Sequence, residues 1–351
     1  LPGPRNAATA CADAPFLTVW PPAARTPNSL VTADSQPSAA PIPAPRHLPI
    51  DVRAAARQFV RQARRTADAR PWLYGEVAQR MHERLDYIRL APAALVDAGC
   101  GAGEDLAALA QRYPGCTQLT GIDFTAAYAT RTRDRLQPGG LRGLLDKLRA
   151  SRQLNVLTAD FSAAELPAGS QQLVWSNCAL HWSDAPDRTL KHWAQWLAPE
   201  GLLMFSVFGP DTFREVRHAA RAAALGAMTL EFVDLHDYGD MLVAAGLATP
   251  VMDAEVLTLS YSSPEALVAE LRQLGGNAHR RRAGALVSRK RWQRFLDALA
   301  AQHDPDLGGI PLTVELVYGH AFKPQPRSAR GSAGVSTVPL DQLTASLKRK
   351  Q

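Results

Sequence analysis

The chain has 351 residues, is 46% hydrophobic and 21% charged, and carries a net charge of +6; this is ordinary for a globular protein long enough to bury a sizeable core. The mild positive excess does not by itself argue for a nucleic-acid partner, and no run approaches the roughly 18 apolar residues of a bilayer span. Cys11, Cys100, Cys116 and Cys178 form no C-x-x-C pair, which argues against a zinc site or disulfide framework and fits a reducing cytoplasm.

Residues 1–50 hold eleven of the 26 prolines and no sustained periodicity. Such a segment buries too little apolar surface to offset its ordering entropy and is expected to be a disordered Pro/Ala-rich tail. It also lacks the basic-then-apolar order of a secretory signal. From residue 51 the pattern becomes regular. Segments 55–65 and 71–88 read as helices with an apolar face, Pro71 suiting a first helical turn. A strand at 93–99 is followed by a helix at 104–113, and a strand at 117–123 by a helix at 125–136. Gly139-Gly140 opens a basic helical connector to about Arg152. Strands at 154–160 and 171–177, a helix at 185–197 closed by Pro199 and Gly201, and a fifth strand at 202–209 complete the alternation. Strands separated by helices of this length indicate a parallel sheet covered on both faces.

Beyond Gly209 the rhythm changes. Helices are expected at 211–227 and 235–247, with Asp211 and Thr212 as a helix cap or at the substrate mouth. A strand follows at 253–262, then a helix capped by Ser263 before Pro264, a basic stretch, a helix at 289–303 and a last strand at 312–322. The expected fold is a doubly wound, Rossmann-like α/β sheet of seven strands with a helical lid inserted around the last strands. Its core spans 92–208, the lid and sheet edge 209–323, and a flexible tail 324–351.

The first strand ends in "VDAGCGAG", with Asp97 ahead of Gly99, Gly101 and Gly103. Closely spaced glycines let the backbone turn sharply and approach a ligand with no Cβ in the way. A phosphate cradle requires GxxxxGK[ST] and a dinucleotide loop GxGxxG; the spacing here is GxGxG. An acid beside the bend repels diphosphate and suits a cationic ligand. Asp123 closes the second strand twenty residues beyond Gly103, where a carboxylate can accept from both ribose hydroxyls. Asp160 and Phe161 close the third strand, an acceptor for an adenine amino group and an apolar ring beside it. An adenosine with a cation and no phosphate is S-adenosylmethionine (SAM). The set resembles the class I SAM-dependent methyltransferase family over about residues 92–208. The resemblance implies cofactor contacts from Asp97, Gly99, Gly101, Gly103, Asp123, Phe124, Asp160, Phe161 and Asn177. A plain dinucleotide dehydrogenase is the competing reading.

No (D/N)PP(Y/F) follows the fourth strand, which argues against methylation of DNA amino groups. "WSNCALHW", "FSVFGPDTFREVR", "ELRQLGGNAHRRR" and "IPLTVELVYGHAF" instead resemble the biotin-pathway malonyl-[acyl-carrier protein] O-methyltransferase family over about residues 51–323. That resemblance implies esterification of the free carboxylate of malonyl-acyl carrier protein; a monomer is expected, with no metal, nucleic-acid or membrane partner. A malonyl carboxylate is already ionised at neutral pH, so no general base is expected. His181 and Trp182 are the candidates at the acceptor edge, with packing as their alternative role. The resemblance also implies carrier docking on Arg272, Arg280, Arg281, Arg282, Arg289, Lys290, Arg291 and Arg294, whose alternative is a solvated basic face. Where the family carries a tyrosine ahead of the first core helix, this chain reads "RRTADARPWLY", with Thr66-Ala67-Asp68 and a later Tyr74. Three alternatives stay open: a related assembly factor similar to an arginine hydroxylase, a methyltransferase paralogue with another small carboxylate or protein substrate, and a non-catalytic SAM- or carrier-binding module.

Overall fold

The computed structural model describes residues 47–65, 70–137, 152–283 and 287–326. The connector after Gly139, the Thr66-Ala67-Asp68 segment and most of both tails lie outside the described residues.

Seven strands form one sheet: β1 (Ala94–Ala98), β2 (Gln118–Asp123), β3 (Gln153–Thr158), β4 (Gln171–Ser176), β5 (Leu197–Phe208), β6 (Ala248–Tyr261) and β7 (Ile310–Phe322). Their spatial order is β3-β2-β1-β4-β5-β7-β6. β1 to β5 run parallel, and β7 lies antiparallel between β5 and β6. The chain order reverses between β1 and β4, so the carboxyl ends of these two strands open onto the crevice where this architecture binds ligands.

Side-chain alternation divides the core. Leu95, Trp175, Met204 and Leu316 join one buried cluster, while Val96, Val174, Phe205 and Val317 join a second. Successive residues of a strand face opposite sides, so each strand of the sheet centre must be apolar on both. Helices α2 (Trp72–Arg84), α3 (Glu104–Arg112), α6 (Arg214–Ala222), α8 (Pro264–Gln273) and α9 (Arg289–Ala300) supply the first cluster. Helices α1 (Val52–Arg65), α5 (Pro186–Trp196) and α7 (Leu235–Ala244) supply the second, and α4 (Ala126–Leu136) packs on β2 and β3.

The structure corrects several sequence expectations. β5 starts at Leu197, ahead of Pro199 and Gly201, with a bulge opposite Gln171–Leu173; the two punctuating residues sit inside an irregular strand start. β6 starts at Ala248. Asp211 and Thr212 do not cap α6, whose first residue is Arg214. The Asp211 amide donates to Glu315 Oε2 (2.8 Å), and the Thr212 hydroxyl donates to the Glu315 carbonyl (2.9 Å). The turn is thus fastened to β7, and long-range bonds displace the local cap. Ser263 does cap α8, accepting from the Ala266 amide. Residues at the end of the expected N-terminal tail are also held: Ile50 is fully buried and bridges to His279.

Candidate active site

The bend after β1 is built as its glycines require. Gly99, Gly101 and Gly103 have φ of +87°, +53° and +80°, the left-handed region that L side chains rarely adopt. A Cβ on Gly101 would meet nothing within 4 Å, because this residue faces an open cavity. The Gly99 and Cys100 amides donate to the Ile122 carbonyl (2.8 and 3.0 Å), tying the bend to the end of β2. There Asp123 accepts from the Gly101 amide through Oδ2 (3.2 Å) and from the Thr125 amide through Oδ1 (2.7 Å). Burial pushes the Asp123 carboxyl up to about 6.

Gly99, Gly101, Asp123, Phe124, Phe161 and Asn177 are among the residues lining this cavity. Phe124 and Phe161 stack with centroids 6.0 Å apart, and Phe59 leans edge-on against both Phe124 and Trp182. Bare glycine backbone, a buried carboxylate and an aromatic wall fit a nucleoside without phosphate.

Three sequence-predicted residues have other surroundings. Asp97 is 1% exposed and does not line the cavity; its Oδ2 has no hydrogen-bond partner. Burial and the nearby Asp105 carboxylate hold its carboxyl well above the usual range. Gly103 does not line the cavity either: a Cβ there would sit 2.7 Å from Thr132 Cγ2, so this glycine permits α3 to pack on α4. Asp160 also lies outside the lining, and its Oδ1 accepts from the Ser162 amide (2.8 Å) and hydroxyl (2.7 Å). Asn177 lines the cavity but is fully engaged: its amide donates to the Tyr74 carbonyl and Asp105 Oδ2, and its Oδ1 accepts from Ser206.

Sequence reasoning missed the other wall. Arg70 pairs with Asp105, and both line the cavity beside Tyr74, Tyr128 and Gln62. The available signal was Glu104-Asp105 in the first helical turn after the glycines, where a buried acid needs a partner. Tyr74 lines the same cavity, and its hydroxyl donates to the Leu274 carbonyl of the lid (2.9 Å). Neither thiol here is a nucleophile, since burial pushes Cys178 up to about 12 and Cys100 up as well.

A second cavity lies on the other side of Trp182, which lines both. Its wall includes His181, Phe208, Phe213, Phe232, Trp292 and Arg272. His181 is buried with both ring nitrogens unpartnered, and burial lowers it to about 3, so its imidazole is neutral. The basic residues expected to dock the carrier divide into two groups. Arg280 donates to the Ile50 carbonyl, Arg281 pairs with Glu231, Arg282 pairs with Asp51, and Arg291 donates to the Ala224 carbonyl. Arg272, Arg289, Lys290 and Arg294 are exposed and form no hydrogen bond or ion pair with a described residue.

Fold and cavity together define a class I SAM-dependent methyltransferase. When bound, SAM supplies an electrophilic methyl group on a sulfonium. Residues 96–205 match the family described as a methyltransferase domain. A malonyl-[acyl-carrier protein] O-methyltransferase of Laribacter hongkongensis is 40% identical over 271 residues, 77% of this chain and 89% of that protein. Relatives with the same name from Gallionella capsiferriformans and a Methylovorus species are 39% and 38% identical, covering 94% and 92% of those proteins. The chain belongs to the malonyl-[acyl-carrier protein] O-methyltransferase family.

Proposed function

We propose that this chain methylates the free carboxylate of a malonyl thioester carried on acyl carrier protein. The observation that carries the reading is Trp182, one aromatic side chain forming a wall of both the SAM cavity and a second, largely apolar cavity. Methyl transfer needs the donor and acceptor in line and close, and alignment alone contributes roughly 7–11 kcal/mol in well-oriented systems. A carboxylate and a sulfonium lose their charges as the new bond forms, so an apolar, water-poor cavity raises the charged reactants relative to the transition state. The ring-lined cavity supplies such surroundings, and an acceptor already ionised at neutral pH requires no base.

The exposed Arg272, Arg289, Lys290 and Arg294 beside this cavity suit an acidic carrier, and we assign docking to these four. Arg280, Arg281, Arg282 and Arg291 hold the lid instead. The relatives named above favour methyl transfer over the hydroxylase-like alternative. Growth of a biotin auxotroph that lacks this methyltransferase provides the test. The chain should restore growth and its Asp123→Ala variant should not; failure of a well-expressed chain to restore growth contradicts the reading.

A further inference from the structure

Two side chains on the wall of the acceptor cavity bury polar atoms with nothing to bind: His181 and, through its indole Nε1, Trp182. His181 is 2% exposed and both of its ring nitrogens lack a hydrogen-bond partner. A buried donor left without a partner is destabilising, so an apolar ring would be the more stable choice at this position unless something binds there. Its imidazole stacks on Phe208 with centroids 4.6 Å apart and meets Phe232 edge-on at 5.8 Å. Both rings line the same cavity. Asn277, also on the wall, is already committed: its amide donates to the Ala227 carbonyl and its Oδ1 accepts from the His279 amide. Arg272, also on the wall, lies at the exposed rim.

Resting on the carboxyl-methylation reading, we infer that His181 is the residue that binds the acceptor carboxylate, an uncharged imidazole N–H donating to one oxygen while the other is aimed past Trp182 toward the cofactor. The placement follows from the chain itself, because His181 immediately precedes the tryptophan that walls both cavities. Arg272 then faces the thioester side, away from the reacting oxygen.

A neutral donor suits this reaction better than a cation. The carboxylate oxygen forms the O–CH3 bond as the S–C bond breaks and its electron pair stays on sulfur; no proton moves. A guanidinium paired with the carboxylate stabilises the charged reactant more than the charge-depleted transition state, which raises the barrier. One hydrogen bond from an imidazole fixes orientation with less of that penalty. Burial holds the ring neutral, its pKa lowered to about 3.

His181→Phe and His181→Gln separate donor from ring volume. The Phe variant should lose about 10- to 100-fold in kcat/KM for malonyl-carrier protein, with SAM affinity unchanged because His181 does not line the cofactor cavity. The Gln variant, which keeps a neutral donor, should recover most of that loss. Full activity in the Phe variant, or equal loss in both, overturns the inference. A measurement on the unsubstituted chain guards against misfolded variants: NMR of 15N-labelled imidazole with S-adenosylhomocysteine present. Malonyl-carrier protein should shift one His181 ring N–H, and acetyl-carrier protein, which lacks the carboxylate, should not. Identical spectra with the two carriers overturn it. An unsubstituted chain that makes no methyl ester removes the underlying reading instead, so the two failures are distinguishable.

Discussion

In the proposed cofactor site, Asp123 carries the most chemistry of any single side chain. It accepts two backbone amides and lines the cavity, and both roles require its charged form. Asp123→Ala should weaken SAM binding by about 1.5–3 kcal/mol, read by calorimetry. Burial raises the carboxyl of the ligand-free fold to about 6. The folded chain therefore holds this proton more tightly than the unfolded chain, and the group favours the ligand-free fold below about pH 6 and disfavours it above. Binding runs the other way: SAM affinity should fall as pH drops through 6, by up to about tenfold per unit, and level off above 7. A flat affinity between pH 5 and 7 contradicts the ribose role. Gly99→Ala places a Cβ 2.3 Å from Ala179 Cβ at φ +87°. Strain and overpacking should together lower stability by at least about 2 kcal/mol in urea unfolding. At this scale the cavity positions of Gly99, Gly101, Asp123, Phe124 and Phe161 were legible, because unusual residue types at fixed spacing follow from backbone geometry. Asp160 was misplaced since an acid at a strand end also binds its own following backbone, as it does here through Ser162. Arg70–Asp105 was not legible, because nothing local links residues 35 apart.

The elements show how the lid is held over the site. Gln58 on α1 donates to the Asn277 carbonyl (2.6 Å), Gln62 to the Gln273 carbonyl, and Tyr74 on α2 to the Leu274 carbonyl. These bonds fasten the bend after α8, where Gly275 and Gly276 have φ of +96° and +70°. Gly275 lies so close to Trp182 that a Cβ would sit 2.5 Å from its ring. Tyr74→Phe removes one of these ties at a cost of about 1 kcal/mol. Amides 274–277 should then exchange faster and the KM for SAM should rise a few-fold; unchanged exchange contradicts the role. The strands of the sheet centre were readable because two buried faces demand near-continuous apolar runs. The start of β5 was not, because Pro199 and Gly201 read as a stop while the register with β4 absorbs them in a bulge. The tie from Tyr74 to the lid spans 200 residues and leaves no periodic trace.

For the whole molecule, the reversal of strand order between β1 and β4 opens the first cavity, and residues following β5 together with α8 and α9 line the second, the proposed acceptor side. Charge complementarity with an acidic carrier chiefly affects encounter and weakens with salt. Reversing Arg289, Lys290 and Arg294 to Glu should raise the KM for malonyl-carrier protein several-fold, with the gap narrowing as salt increases. A gap independent of salt contradicts docking on this face. The fold and cofactor were legible because they rest on local patterns, whereas the pairing of Arg281 with Glu231 and of Arg282 with Asp51 is seen only in the tertiary structure.

A single-turnover reaction tests the account most directly: purified chain in excess, SAM carrying a labelled methyl group, and malonyl- or acetyl-carrier protein as acceptor. Label should appear on the malonyl carrier alone, in a linkage released by mild base as a methyl ester is. Label on neither carrier while SAM is bound, or on both alike, would contradict it.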